Sequence, residues 1–449
     1  MFNEAFGWLA VAEDFLWGYV GIPIIILLGL YLCVRSRVVQ LRCFPSIFRN
    51  FVAAFSKNDV EETNLHPLRA FFASIGGSLG IGNVIAVAAA IRIGGPGTIV
   101  WIWVTAIIGS LIKYSEVFIG ISRRRTLADG SHRGGPMFFL KDAFGKNWPA
   151  TLFCILMCIY SVEIYQFGVV ASLTSYATGW SKLTTALIFF AVIILVERGG
   201  FKRIGLIASI LAPILVALYV SMVFYVLFAH SAELPVVLSD ILSSAFSPRA
   251  AEGGFVGSTL LLTMSQGVRR GCYSTDIGVG YASIIHSTSA AKSPQKQASL
   301  LIFEIFMDTF FVCTMSVLLV LVTGTWKDSG DSILLVQKAL GKYFPYMDTF
   351  VPIFLSLLGY GTVTTYFSAG MYTMRHWMPR WGERIYYIYA TAAFMVFVFV
   401  DNQHAISVMS FVGFLLLMLN GWGLWKLRNS ISFSEISESV SAESQAIAG

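Results

Sequence analysis

Charge is scarce in this sequence. Of its 449 residues only 12% are charged and 56% are hydrophobic, whereas a soluble domain carries roughly 25% charged residues. That deficit excludes an ordinary water-soluble enzyme. Cysteine is scarce as well. Cys33, Cys43, Cys154, Cys158, Cys272 and Cys313 show no CxxC spacing and sit in or beside apolar runs, so no disulfide or metal framework is expected. The six histidines (His66, His132, His230, His286, His376, His404) form no HxxxH group, and no transition-metal site is expected. No Walker loop occurs, and the GxG run at 80–82 lacks the βαβ setting of a dinucleotide fingerprint. These absences leave no enzyme activity and no bound cofactor to expect. The net charge of +6 needs no nucleic-acid partner, because the basic residues lie where membrane topology explains them.

Apolar runs fill the chain instead. They fall at 17–36, 68–92, 97–121, 150–176, 183–196, 203–229, 254–284, 298–323, 346–373, 385–400 and 405–425, most near the length that crosses a bilayer. The expected fold class is an all-α polytopic membrane protein with a lipid bilayer as its solvent. The first run is not read as a cleaved leader: Glu4, Glu13 and Asp14 precede it and basic residues follow it.

Lys and Arg accumulate in cytoplasmic loops. The loops after spans 3, 5 and 9 carry Arg123-Arg124-Arg125, then Arg198 with Lys202 and Arg203, then Arg375 with Arg380 and Arg384. The opposite loops carry only Lys182, Arg249, Lys327, Lys338 and Lys342. The asymmetry places the N-terminus outside and the C-terminus in the cytoplasm, in an inner (plasma) membrane. Residues 426–449, ending in a Ser- and Glu-rich stretch, read as a disordered tail.

Two spans are interrupted. Span 2 contains "GGSLGIGN" (76–83), and span 7 contains "QGVRRGCYSTDIGVG" (266–280), where Gly267, Gly271, Gly278 and Gly280 break the apolar pattern. With span 1 set aside (1–65), ten spans remain, and these two head two halves of five, about 66–229 and 230–425. An odd number per half makes the halves inverted repeats. Gly-broken segments in matching positions point to a secondary-transporter site. Unwound backbone is tolerated in a membrane only around a polar cavity. Freed amides suit a carboxylate, and freed carbonyls suit a small hard cation.

The chain resembles the alanine-or-glycine:cation symporter family, of LeuT-type fold with one extra helix. The matching blocks are "GIGNVIAVAAAIRIGGPGTIVWIWV" (80–104), "KYSE" (113–116), "GGPMFF" (134–139), "FSPRAAEGGFVG" (246–257), "GVRRGCYSTDIGVG" (267–280), "MDTFFVC" (307–313) and "LVTG" (321–324). The resemblance implies import of alanine, glycine or another small neutral amino acid with Na⁺. It implies that the amides around Gly80, Ile81 and Gly82 meet the substrate carboxylate, with Ser78 and Asn83 lining the same cavity. It further implies that the Gly76 and Leu79 carbonyls help hold Na⁺. Gln166 becomes a substrate contact, Val169 a wall, and Gly267 part of the break in span 7. In "GYGTVTTYF" (359–367), Thr362 keeps a family threonine that serves substrate or cation, Gly361 replaces a serine, and Tyr366 replaces a tryptophan. Ile81 stands where a threonine is common. A proton-coupled carrier is the alternative, motivated by Gly361 and Glu163.

Several charges fall inside spans, where each costs roughly 2.5–3.5 kcal/mol to insert. Lys113 and Glu116, three apart, are expected to pair with each other. Glu304 and Asp308 share a helix face and are expected to meet Arg269 or Arg270. Glu163 and Gln166 are expected on one helical face.

Overall fold

The structure, a computed structural model, describes residues 2–55, 64–246 and 260–436. The start of span 7, the block at 247–257 and the tail from 437 onward lie outside the described residues.

Nearly everything is helix. Helix α1 covers Phe6–Ser36, and the helical chain begins before it, at Phe2, earlier than the expected span. Span 2 is a bent pair, α2 (Pro67–Ser78) and α3 (Gly82–Gly94), at 49° to each other. Then follow α4 (Thr98–Ser122), α5 (Trp148–Tyr160), α6 (Ile164–Thr178), α7 (Lys182–Glu197) and α8 (Gly200–Ala229). Span 7 is α9 (Leu260–Thr275) and α10 (Tyr281–Ser287). The last four are α11 (Pro294–Val322), α12 (Met347–Trp377), α13 (Gly382–Phe397) and α14 (Asn402–Leu427). Starts are set by local chemistry. Ser181 accepts from the Thr184 amide at 3.0 Å, Ser293 from Lys296 at 3.2 Å before Pro294, and Asp401 from Gln403 at 2.7 Å, each satisfying an orphan N–H.

Among the described residues seven helices are long and apolar enough to cross a membrane, or eight with the bent pair. Three expected spans fall short of that length: α7 and α13, of 16 residues each, and the divided pair α9/α10. Outward faces carry apolar side chains, such as Leu206, Ile210, Ile214 and Phe228 of α8, as hydrocarbon requires. The inside is the reverse of a soluble core: Lys113, Glu116, Glu163, Glu304 and Asp308 are all buried.

Packing divides the helices into two groups. One holds α2/α3, α4, α9/α10 and α11, and the other holds α5/α6, α7, α12 and α13. Helix α2 joins them by lying against α8 and α12. Helix α1 packs on α4, and α14 on α5 and α6. The tail is not disordered where it is described. Phe433 stacks on Tyr114 at 5.0 Å, the Tyr114 hydroxyl donates to the Ser432 carbonyl at 2.7 Å, and Ile431 and Ile436 are buried. Aromatic and β-branched side chains in the Ser-rich stretch supply the apolar contacts that hold it.

Candidate functional site

The helical ladder fails at Leu79, whose backbone (φ −73°, ψ 79°) leaves the α region. Gly80 N–H donates to the Ser78 carbonyl at 2.9 Å and to Asn83 Oδ1 at 3.0 Å, not back to Gly76. Asn83 N–H donates to Gly80 at 3.3 Å instead of to Leu79. The Gly76 and Leu79 carbonyls are therefore released from the ladder. Ile81 N–H leaves the helix altogether and donates to the side-chain oxygen of Gln166 at 3.2 Å. A Cβ at Gly80 would collide with Gln166 and would lie 2.6 Å from Thr362 Oγ1, so only glycine lets those side chains approach this backbone. Gly80, Ile81, Gln166 and Thr362 thus meet at one point.

Aromatic side chains pack close to the break. Tyr273 of α9 lies over Gly82, its ring 3.2 Å from where a Cβ would be. Its hydroxyl reaches Glu163 Oε2 at 3.4 Å, and its ring meets Tyr165 edge-on at 6.4 Å. Tyr366 stacks on Tyr281 at 4.0 Å and meets Tyr160 edge-on at 5.6 Å. The Tyr281 hydroxyl donates to the Ala73 carbonyl at 3.2 Å, beside Gly77. Val169, three residues after Gln166 in α6, is buried.

A small cavity of about 30 Å³ adjoins the break on its α12 side, lined by Gly76, Leu79, Gly361, Thr364 and Thr365 among apolar neighbours. That volume suits one water or ion. Thr365 Oγ1 donates to the Gly361 carbonyl at 2.7 Å, and the buried Thr364 side chain lies beside Tyr360, which lines the same cavity. Two expected cation ligands, Gly76 and Leu79, meet here. Thr362 does not line this cavity and faces Gly80 instead, because one residue along a helix turns a side chain by a quarter of the circumference or more. A Cβ at Gly361 would sit 2.9 Å from the Gly76 carbonyl oxygen, so the replaced serine position faces this cavity.

Other expectations are corrected. Gly267 is not in the break: it lies within continuous α9, where a Cβ would strike Trp101 and the Thr98 carbonyl of α4. It is a helix-crossing glycine. The break in span 7 is at 276–280, with Asp276 (φ 54°), Gly278 (φ 81°) and Gly280 (φ 84°) left-handed. Asn420 Nδ2 donates to the Gly278 carbonyl at 2.9 Å and pins it to α14.

Ser78 does not face the point where Gly80, Gln166 and Thr362 meet. With Ser74 it donates to Glu304 Oε1, at 3.1 and 3.2 Å. Lys113 pairs with Glu304 at 2.8 Å rather than with Glu116, and donates to the Thr275 carbonyl at 2.7 Å. Its ammonium therefore sits on the last carbonyl of α9, where the helix dipole favours a cation. Arg269 pairs with Glu13 at 3.3 Å and Asp14 at 2.6 Å in the N-terminal helix, not with Glu304 or Asp308. Asp308 instead accepts from Asn83 Nδ2. That bond joins two widened, π-helical turns, Gly82–Ala86 and Phe306–Cys313, a feature frequent at functional sites. Glu163 precedes α6 in a left-handed conformation (φ 50°), so it lies outside the helix that carries Gln166, yet the two side chains hydrogen-bond. Span 4 is therefore broken too, at 161–163.

Residues 3–435 match the profile of the Sodium:alanine symporter family. The chain belongs to that family. It is 31% identical over 360 residues to the "Probable sodium/glutamine symporter GlnT" of Bacillus subtilis, covering 78% of this chain and 73% of that protein. It is 27% identical to the sodium/alanine symporter AgcS of Methanococcus maripaludis, with 84% of each chain covered. The crystal structure of MhsT in complex with L-phenylalanine superposes with a TM-score of 0.63 at 14% identity, covering 84% of this chain and 92% of that one. That likeness shows the LeuT-type fold, and family membership makes the chain an all-α polytopic membrane transporter.

Proposed function

We propose that this symporter imports a small neutral amino acid, alanine or glycine in the first instance, with Na⁺. Family membership makes it a Na⁺-coupled amino-acid symporter. The observation that carries the substrate site is the Ile81 amide, released from its helix and held by a side-chain oxygen. A carboxylate oxygen takes the place of that Gln166 oxygen. The Gln166 amide then turns its NH₂ toward the carboxylate, exchanging an acceptor for a donor. Tyr273 lies over Gly82 and covers the break on one side.

Na⁺ binds at the Gly76 and Leu79 carbonyls, in the cavity that the Thr364 and Thr365 side chains also line. Substrate and ion then hold the same turn of backbone from two sides. Each favours the conformation in which the turn is ordered, and that shared preference couples them. The two packing groups are the bodies that move, and the 66–229 and 230–425 halves each contribute two spans to either group. We place the N-terminus outside and the C-terminus in the cytoplasm of the inner membrane, from the basic loops. Equilibrium binding of radiolabelled alanine to the purified protein, with Na⁺ exchanged for choline, tests the assignment. Saturable binding that disappears in choline is expected from this site, and alanine binding indifferent to Gly80→Val would overturn it.

A further inference from the structure

A groove of about 730 Å³ opens between α1, α5 and α14, lined by Leu28, Leu152, Gly421, Trp148, Trp422 and Trp425 among apolar neighbours. Gly421 keeps part of it open, because a Cβ there would already lie 3.7 Å from Ile24 of α1. On α14 the lining runs from Leu415 to Trp425, a rise of about 15 Å. That is half of a hydrocarbon core about 30 Å thick, and so the depth of one leaflet. Trp148 opens α5 and Trp425 lies in the last turn of α14. The aromatic end of the groove is therefore the end at which both helices leave the membrane, the level where tryptophan gathers.

Two cations stand at this mouth, each held on an aromatic ring. Lys426 Nζ lies 4.6 Å from the centre of the Phe144 ring. Phe144 in turn meets Trp422 edge-on at 4.9 Å and Trp148 at 6.0 Å, both of which line the groove. The Arg428 guanidinium lies 4.6 Å over the Trp425 ring and donates to the Trp425 carbonyl at 2.8 Å. Arg35 of α1 donates to the carbonyls of Arg428, Asn429 (3.3 Å) and Ile431 (3.2 Å), which fixes the chain bearing the second cation. Neither Lys426 nor Arg428 makes an ion pair among the described residues. The acids nearest in sequence are engaged elsewhere: Asp142 pairs with Arg123 at 3.3 Å, and Glu435 accepts from Ser293 at 2.5 Å. Being two residues apart, the cations spring from Cα atoms no more than about 7.6 Å from each other, close enough to meet one headgroup.

We propose that the groove is a binding site for one anionic phospholipid. An acyl chain lies between α1, α5 and α14, and the headgroup phosphate meets Lys426 and Arg428. The apolar walls accept any lipid tail, so the two cations supply the selection. Each basic residue beside a membrane surface strengthens the hold on anionic lipid by about fivefold. A zwitterionic headgroup gains less, because its own ammonium is repelled by the same pair. Only the assignment to the cytoplasmic leaflet rests on the proposed orientation. The site itself depends neither on that reading nor on the amino acid carried.

The test is native mass spectrometry of the full chain titrated with phosphatidylglycerol or phosphatidylcholine, both carrying palmitoyl and oleoyl chains. The wild type should retain one phosphatidylglycerol more tightly than any phosphatidylcholine. Lys426→Gln and Arg428→Gln should each weaken that first lipid by about fivefold, and the double variant should lose the preference. Leu152→Trp, which fills the groove from α5, should remove the tightly held lipid with both cations still in place. Gly421→Leu, which fills it from α14, should do the same, and size-exclusion profiles matching the wild type show that the variants fold. Equal retention of the two lipids by the wild type overturns the site. So does a preference for phosphatidylglycerol that survives the double variant, or one that survives filling the groove by both routes. A particle of two chains that falls to one on Leu152→Trp marks the groove as a contact between copies and overturns it as well.

Discussion

Lys113 Nζ lies 2.8 Å from Glu304 Oε1, and neither side chain reaches solvent. Through this pair the ends of two broken helices are joined. Glu304 receives Ser74 and Ser78 from α2, and Lys113 holds the last carbonyl of α9. Removing one partner of such a pair leaves a buried charge and costs roughly 3–5 kcal/mol. Lys113→Met and Glu304→Leu should each lower the thermal stability of the purified protein strongly. The double variant should be more stable than either single one, as read by fluorescence-detected size exclusion after heating.

Asn83 has two tasks, and one substitution separates them. Its oxygen accepts from Gly80 N–H at 3.0 Å and its nitrogen donates to Asp308. Asn83→Ala should cut initial uptake by at least about tenfold, on the scale of losing hydrogen bonds in a buried network. Asn83→Asp keeps the acceptor, loses the donor and sets a second carboxylate against Asp308. Its uptake should be no better than that of Asn83→Ala, with both variants inserted in the membrane at wild-type levels.

Family resemblance alone would suggest that Gly361→Ser restores a missing ligand. The structure argues otherwise. The new Cβ would stand 2.9 Å from the Gly76 carbonyl oxygen, which is backbone and cannot swing aside. Overpacking of this kind costs about 1–3 kcal/mol. Gly361→Ser and Gly361→Ala should therefore both lower stability, and the half-saturating Na⁺ concentration should rise in each. A fall in that concentration for the serine variant would show that α12 gives way.

Glu163 tests the proton alternative. It is buried beside the break, where the Tyr273 hydroxyl donates to it at 3.4 Å and Gln166 is a second hydrogen-bond partner. With Na⁺ as the driving ion, Glu163→Gln should retain accumulation driven by a Na⁺ gradient. Loss of accumulation with binding intact would assign the carboxyl a coupled proton.

The glycines made the break in span 2 legible, because four of them with Asn83 in eight residues (76–83) cannot be explained as a stable helix. In span 7 the same signal was present but spread over fourteen positions (267–280), and glycine also serves close helix crossing. Only packing separates Gly267, against Trp101, from Gly278 and Gly280 in the turn. The break at 161–163 carried no glycine. Glu163 adopts the left-handed conformation itself, which buried surroundings impose and local propensity does not reveal. The partners of the buried charges were hidden for a different reason. Spacing along one helix can propose Lys113 with Glu116, but the partner it finds is 191 residues away. Tyr273, Asp276 and Asn420 were missed likewise, though the first two lie inside the stretch already marked as interrupted.

The most direct measurement is uptake of radiolabelled alanine and glycine into liposomes containing only this protein. An inward Na⁺ gradient should drive accumulation above the external concentration. That accumulation should collapse when the gradient is dissipated and be absent for Gly80→Val. Uptake that follows a proton gradient alone, or that equilibrates without ever exceeding the outside concentration under either ion, would contradict Na⁺-coupled symport at the broken helices.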